Sequence, residues 1–343
     1  MKVLIRVLRE AGGLGDLIRI FAVLQALKDK YPGSKTHFFC LSHYQELVMN
    51  GHCGAVDVFV SIPHDLRRDR MSPIDEAEHR YLRTGCTYDM DVDLYCPAWV
   101  HERETHGAVT RERTELWATS AGVPTRRPVM HLSSEERAWA RSWFEAIMFP
   151  AWDRCGDSKK LIVIQPRSTA SIRNWMEEHW CELILKFTQE GHAVVLLDNC
   201  TGPSHGWPST LREINRPFGQ LACIVSMADL VVSPDSGVYH LAGALKVPAL
   251  GIFHSTNGAI ISSIWKGTGY AVTPNGKSTR HDGCLDPCYG FPQRGRTRKC
   301  NSDGCVLAHQ IIPDDVFRRG MEILDEHSGI DGGYQRLPAE AVR

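Results

Sequence analysis

Three short segments of this 343-residue sequence gather residue types that handle protons and phosphates. The first is Gly12-Gly13-Leu14-Gly15-Asp16. Glycines ahead of a helix, here Gly13 and Gly15, let backbone N–H groups come close to a ligand. A carboxylate at that helix start has two uses: it caps the helix, or it takes the proton of a hydroxyl as a general base. Both readings of Asp16 stand. The spacing is not that of a dinucleotide-binding turn, because Ile18 occupies the third glycine position and Leu41-Ser42-His43 closes the second strand without an acid.

The second segment, Gln165-Pro166-Arg167-Ser168-Thr169-Ala170-Ser171-Ile172-Arg173-Asn174-Trp175, ends a buried strand in hydroxyls and arginines. Arg167 and Arg173 offer forked, charged donors, and Ser168 and Thr169 add neutral ones, a set suited to a phosphate. A solvated loop with a capping serine is the alternative. In the third segment, Ser233-Pro234-Asp235-Ser236-Gly237-Val238-Tyr239-His240, a strand leads through Asp235, Ser236 and Gly237 into a helix. The first helical N–H groups are unpaired by geometry and favour an anion. His240 lies three residues past Gly237, at the strand end where open sheets bind ligands. A core or capping histidine is the other reading. The small residues Ala242, Gly243 and Ala244 are expected to let this helix pack close to a sheet.

A fourth group is late and different. Cys284-x3-Cys288-x11-Cys300-x4-Cys305 falls in a turn-rich stretch with Gly283, Pro287, Gly290, Pro292, Gly295 and Gly304. Four thiols so spaced suit a tetrahedral structural site for zinc or iron, with disulfides and free thiols as alternatives. Four thiolates leave no open position, so no catalytic metal is expected. The same stretch carries Lys277, Arg280, Arg294, Arg296, Arg298 and Lys299, either a solvated basic face or a contact for a polyanionic acceptor.

These segments need elements to hold them. Apolar runs predict strands over 2–8, 35–41 and 56–62, and Leu17, Ile18, Phe21, Leu24 and Leu27 recur at helical spacing within a helix over 16–30. Charged residues 63–83 read as a loop or short helices, 88–96 as a strand, and 111–121 and 133–147 as helices. Composition turns polar near 150–160, the expected linker. A second set follows: strands over 160–165, 193–198, 230–233 and 248–253, and helices over 176–190, 218–227, 237–245 and 313–327. Strand–helix–strand order implies parallel pairing. Two α/β domains in tandem are therefore expected, 1–155 and 156–327, with a cysteine-rich loop at 281–305 and a poorly ordered tail at 328–343.

Composition agrees. Hydrophobic residues make 43% and charged residues 23%, a balance that excludes general disorder. A net charge of -1 argues against coating nucleic acid by bulk electrostatics. No run approaches the ~20 apolar residues of a membrane span, and the short start reads as a strand rather than a signal peptide. A cytoplasmic chain is expected, with reduced thiols outside any metal site; eight of the 12 cysteines read as small core side chains.

In order and spacing, the three segments resemble the bacterial heptosyltransferases, glycosyltransferase family nine, close to the autotransporter heptosyltransferases. Asp235 to Pro248 is similar to the D-S-G-x-x-H-x-A-x-A-x-x-x-P signature, Arg173-Asn174-Trp175 to K-x-W with arginine for lysine, Gly15-Asp16 to the early G-D, and Phe218-Gly219-Gln220-Leu221 to a G-x-x-x-L helix start. Asp198-Asn199-Cys200 departs from the family's W-G-x-x-x-E, and His254-Ser255-Thr256 stands where F-G-x-T is usual. The resemblance implies a GT-B fold, two Rossmann-like domains facing across a cleft, the first taking the acceptor and the second a nucleotide-sugar donor. It implies inverting transfer with Asp16 as base. Arg167, Ser168, Thr169 and Arg173 would hold the diphosphate, Asp198 is the ribose candidate, and Asp235, Ser236, Gly237 and His240 shape the donor pocket. The donor it implies is an ADP- or other nucleotide-activated sugar, ADP first, and the late cysteines resemble the iron site of the related autotransporter group, with zinc as the alternative. The acceptor stays open between lipopolysaccharide core, a protein serine and a modified nucleobase. Monomer and oligomer stay open too, as do the cytoplasm and the inner-membrane periphery. The competing class is a non-catalytic sugar-nucleotide or nucleic-acid-binding module with a metal-stapled basic loop.

Overall fold

The computed structural model describes residues 4–9, 13–50, 52–62, 87–94, 96–105, 109–148, 160–198, 211–213, 216–274 and 305–328. The chain divides into two compact units, one of residues 1–105 and 111–131, the other of 106–110 and 132–343.

The first unit is built on four parallel strands: β1 (Leu4–Arg9), β2 (Lys35–Leu41), β3 (Val58–Ile62) and β4 (Met90–Asp93), in the spatial order β3-β2-β1-β4. Helix α1 (Leu14–Lys30) joins β1 to β2 and buries Leu17, Ile18, Phe21, Leu24 and Leu27, the residues whose spacing predicts it. Gly33 ends the connection with φ +77°, a left-handed turn. Helix α2 (Gln45–Met49) precedes β3. The strand expected over 88–96 stops at Asp93, because Cys96–Glu104 forms helix α3 with Pro97 in its first turn, where a missing N–H costs nothing. Helix α4 (Arg113–Ser120) packs on α1, and the Glu112 carboxylate caps it by accepting from the Thr114 amide.

The second unit begins earlier than the linker composition suggests. Helix α5 (Ser134–Trp143) and the π-helical turn Phe144–Met148 belong to it. Ser133 and Glu136 close a capping box at the start of α5. In the same first turn the Cys223 thiol lies 3.0 Å from the Glu136 carbonyl oxygen, and at the helix's other end Trp143 Nε1 donates to Glu213 Oε1 at 2.9 Å. The boundary expected near 155 therefore moves to about residue 132: polar composition marks solvent exposure, whereas these contacts decide which core the helix joins.

The rest of the unit follows as β5 (Leu161–Ile164), α6 (Glu177–Gln189), β6 (Ala193–Leu197), β7 (Leu211–Glu213), α7 (Phe218–Met227), β8 (Leu230–Pro234), α8 (Gly237–Ala244), β9 (Ala249–Ile252), α9 (Gly258–Ser262), β10 (Gly269–Val272) and α10 (Pro313–Glu326). Its six strands are all parallel, in the order β10-β9-β8-β5-β6-β7. Numbered within the unit, that is the 3-2-1-4-5-6 order of a Rossmann sheet, which reverses direction between β5 and β8. Ile162, Ile164, Val194, Leu196, Leu230, Val232, Leu250 and Ile252 form the core, against Trp180, Leu183, Ile184 and Phe187 of α6 and Val316, Ile323 and Leu324 of α10. The short β7, α9 and β10 carry too little periodicity to be read from sequence. Among the described residues, no helix is long and apolar enough to cross a membrane.

Candidate functional site

In the second unit, the loops after β5 and β8 lie at the reversal point, and the residues singled out for phosphate chemistry sit on them. Ser168 Oγ donates to the Asp235 carbonyl at 3.1 Å, which ties the two loops together. The Ser168 amide donates to Asn174 Oδ1 at 2.7 Å, so the first loop folds back on itself. Arg173 Nη1 lies 3.4 Å from the Asp235 carbonyl oxygen and 3.6 Å from its Oδ2. His240 Nε2 approaches the other carboxylate oxygen, Oδ1, at 3.5 Å. Asp235 is thus a buried hub between the two loops and α8, while Arg173 keeps 23% of its side chain open to solvent.

Ser236 is the N-cap residue of α8 but makes no side-chain cap; its hydroxyl lies 3.3 Å from Ser233 Oγ instead. With Gly237 following, the first N–H groups of α8 are capped by no side chain of this residue and keep their positive end for a ligand. Thr169 is exposed on the same loop. Arg167 approaches Glu177 at the start of α6, with 3.8 Å between Nη2 and Oε2. Asp198 is buried at the end of β6, its amide bonded to the Glu213 carbonyl at 3.1 Å.

His254 follows β9 and is 1% exposed. Its ring lies against the backbone of Arg173 and Asn174. Burial pushes its pKa down to about 4, which keeps the imidazole neutral beneath the arginine loop. Sequence reasoning treats 254–256 only as a departure from a pattern; the position under Arg173 comes from the sheet order. Trp265 and Asn174 also touch site residues without any sequence signal beyond a core aromatic and a loop amide.

In the first unit, Gly13 is the N-cap of α1, and Gly15 and Asp16 lie in its first turn. Asp16 is therefore not the capping residue. Its carboxylate is held by Arg113, whose Nη1 lies 2.8 Å from Oδ1 and 3.0 Å from Oδ2. One helical turn on, buried Arg19 meets buried Glu112 at 3.3 Å. Two oppositely oriented ion pairs thus join the start of α1 to the start of α4. Arg113 lies in a charged run, 111–115, that reads from sequence only as a helix start. Cys284, Cys288, Cys300, the basic residues 277–299 and the 329–343 tail lie outside the described residues. Cys305 is described; it is buried beside Ile172 and Leu307, with its sulfur 3.7 Å from the His254 carbonyl oxygen.

The chain matches the family described as "Glycosyltransferase family 9 (heptosyltransferase)" over residues 77–284. Lipopolysaccharide heptosyltransferase 3 of Escherichia coli K12 is 24% identical over 178 residues, 48% of this chain and 49% of that protein. The match spans about half the length of that curated relative. Among solved structures, the E. coli ADP-heptose LPS heptosyltransferase II superposes with a TM-score of 0.63 at 14% identity, covering 96% of this chain and 100% of that one. The iron-containing dodecameric glycosyltransferase TibC of enterotoxigenic E. coli H10407 gives 0.62 at 14%, covering 96% and 78%. The fold is accordingly GT-B, with two Rossmann-like domains.

Proposed function

The chain belongs to glycosyltransferase family 9, and from that premise we propose that it is an inverting transferase that moves a heptose-like sugar from an ADP-sugar to an acceptor hydroxyl. The observation that carries this reading is the joining of the β5 and β8 loops by Ser168, Arg173 and Asp235 at the reversal point of the second sheet. The donor diphosphate lies there, against Arg173, the Ser168 and Thr169 hydroxyls and the N–H groups that open α8 at Ser236 and Gly237. Arg167 adds long-range charge, and Asp198 meets the ribose.

In the transfer, the acceptor oxygen attacks the anomeric carbon from the face opposite the diphosphate. The new C–O bond forms as the bond from that carbon to the diphosphate oxygen breaks, with its electron pair leaving on ADP. The acceptor proton passes to Asp16, which Arg113 holds in a fixed rotamer. Arg173 and the α8 amides stabilise the negative charge that grows on the leaving group, where preorganised donors act most strongly. Asp235 and His240 keep Arg173 in register.

The acceptor in this reading is lipopolysaccharide core, on the strength of the K12 relative's name, and the enzyme works in the cytoplasm at the inner-membrane periphery. Cys284, Cys288, Cys300 and Cys305 would hold a structural metal; four thiolates suit iron or zinc and would leave no position for substrate, so the group would supply only cross-linking. An oligomer is compatible with this reading, as TibC is dodecameric.

The test is transfer from ADP-heptose to deep-rough lipopolysaccharide, read as ADP release and a mass gain on the acceptor. Asp16→Asn should lower kcat by about 10²–10⁴, the usual worth of a general base, with ADP affinity unchanged. Unchanged turnover in that variant removes Asp16 as the base. ADP binding without transfer to any acceptor favours the non-catalytic module.

A further inference from the structure

His240 is held from two sides, and only one of them belongs to the motif. The other is Trp265, in the turn Ser263–Trp265 that follows α9. Its indole Nε1 lies 3.1 Å from His240 Nδ1. An indole N–H can only donate, so Nδ1 must accept, and a neutral ring then carries its hydrogen on Nε2. Nε2 is the atom that faces Asp235 Oδ1 at 3.5 Å, and the second oxygen of Asp235 faces Arg173 Nη1 at 3.6 Å. With the hydrogen on Nδ1 instead, a lone pair would face the carboxylate and drive it away from the ring.

The fold makes room for this indole. Trp265 is fully buried. A Cβ added at Gly243 would fall 2.4 Å from Trp265 Cδ2, and one at Gly269 would fall 2.5 Å from Trp265 Cβ. The small residue at 243 therefore admits a tryptophan rather than the sheet, which corrects the sequence expectation for that glycine.

We propose that Trp265 is a positioning residue of the donor site: it sets the His240 tautomer, which orients the Asp235 carboxylate and through it Arg173. The inference rests on the reading of Arg173 and Asp235 as donor-binding. It adds to that reading a buried residue that touches no substrate and acts on donor affinity through two side chains.

The test combines ring ¹⁵N spectra of the histidines with ADP titration by calorimetry on the full-length protein and on Trp265→Phe. In the wild type, His240 should show a protonated Nε2 and a bare Nδ1. In Trp265→Phe a protonated-Nδ1 population should appear, and ADP affinity should fall about three- to tenfold, the worth of one hydrogen bond. His240→Gln supplies the control, because its amide offers an N–H near the place of Nε2 whatever residue 265 is. In that background Trp265→Phe should cost no further ADP affinity.

Equal losses in both backgrounds would overturn the proposal, since Trp265 would then only fill space. A protonated Nδ1 in the wild type would overturn it as well, and that spectrum needs no variant to fold. A wild type with the expected tautomer but with ADP affinity untouched by Trp265→Phe would overturn the coupling alone, leaving the donor reading intact. Failure of the wild type to bind ADP would overturn the donor reading, and this inference with it.

Discussion

Arg173 and His254 show how much single side chains can decide at this site. Arg173 reaches Asp235 through Nη1 and keeps part of its side chain open to solvent, where a diphosphate oxygen could approach it. Arg173→Ala should weaken ADP binding by about 1–3 kcal/mol, as for one charged hydrogen bond, measured by calorimetry; unaltered affinity would take it out of the site. His254 lies beneath that loop with its pKa near 4, against an ordinary 6.5. Between those two values the unfolded chain binds a proton that the folded chain does not, so stability falls as pH drops from 6.5 toward 4. The whole gap corresponds to about 3 kcal/mol. His254→Gln has no such proton to bind. Its melting temperature should therefore fall less than that of the wild type between pH 7 and pH 5, and parallel curves would remove His254 as the cause. Asp16, Arg173, Asp235 and His240 are legible in the sequence because each sits in a short motif after a strand. Arg113, His254 and Trp265 are not, because their partners lie 97, 80 and 25 residues away, and only the folded sheet brings them together.

At the scale of elements, long periodic helices are read well and short edges poorly. The spacing of Leu17, Ile18, Phe21, Leu24 and Leu27 predicts α1 within two residues of its start, and the gap from Asp16 to the true N-cap is enough to change that residue's role. Strands β7 and β10, three and four residues long at the sheet's two edges, carry no pattern. Helix α5 is read correctly as a helix, but its allegiance is set by contacts distant in sequence. That distinction is testable. Ser133→Ala breaks the capping box and should cost about 1 kcal/mol of stability. The melting temperature should drop, while ADP affinity should fall less than in Arg173→Ala. A loss of ADP affinity equal to that of Arg173→Ala would place α5 in the donor site, against this account.

At the scale of the whole molecule, the chain uses one kind of sheet twice and loads it differently. In each unit the sheet reverses beside its first strand: between β1 and β4 in the first, between β5 and β8 in the second. The turn after β1 presents a carboxylate, Asp16, already balanced by Arg113. The turns after β5 and β8 present an arginine, two hydroxyls and the positive end of α8. In the first arrangement the arginine is already taken up by a carboxylate, whereas the second offers an arginine and hydroxyls beside a helix start, and on the proposed reading that difference, rather than fold class, is what places the nucleotide on the second unit. Hydrogen exchange with and without ADP measures it directly. ADP should slow exchange at 165–176 and 235–241 and leave the amides of β1 and the first turn of α1 as they are. Protection confined to residues 13–20 would instead put the nucleotide on the Asp16 turn, and Asp16 could not then serve as the base for an acceptor held there.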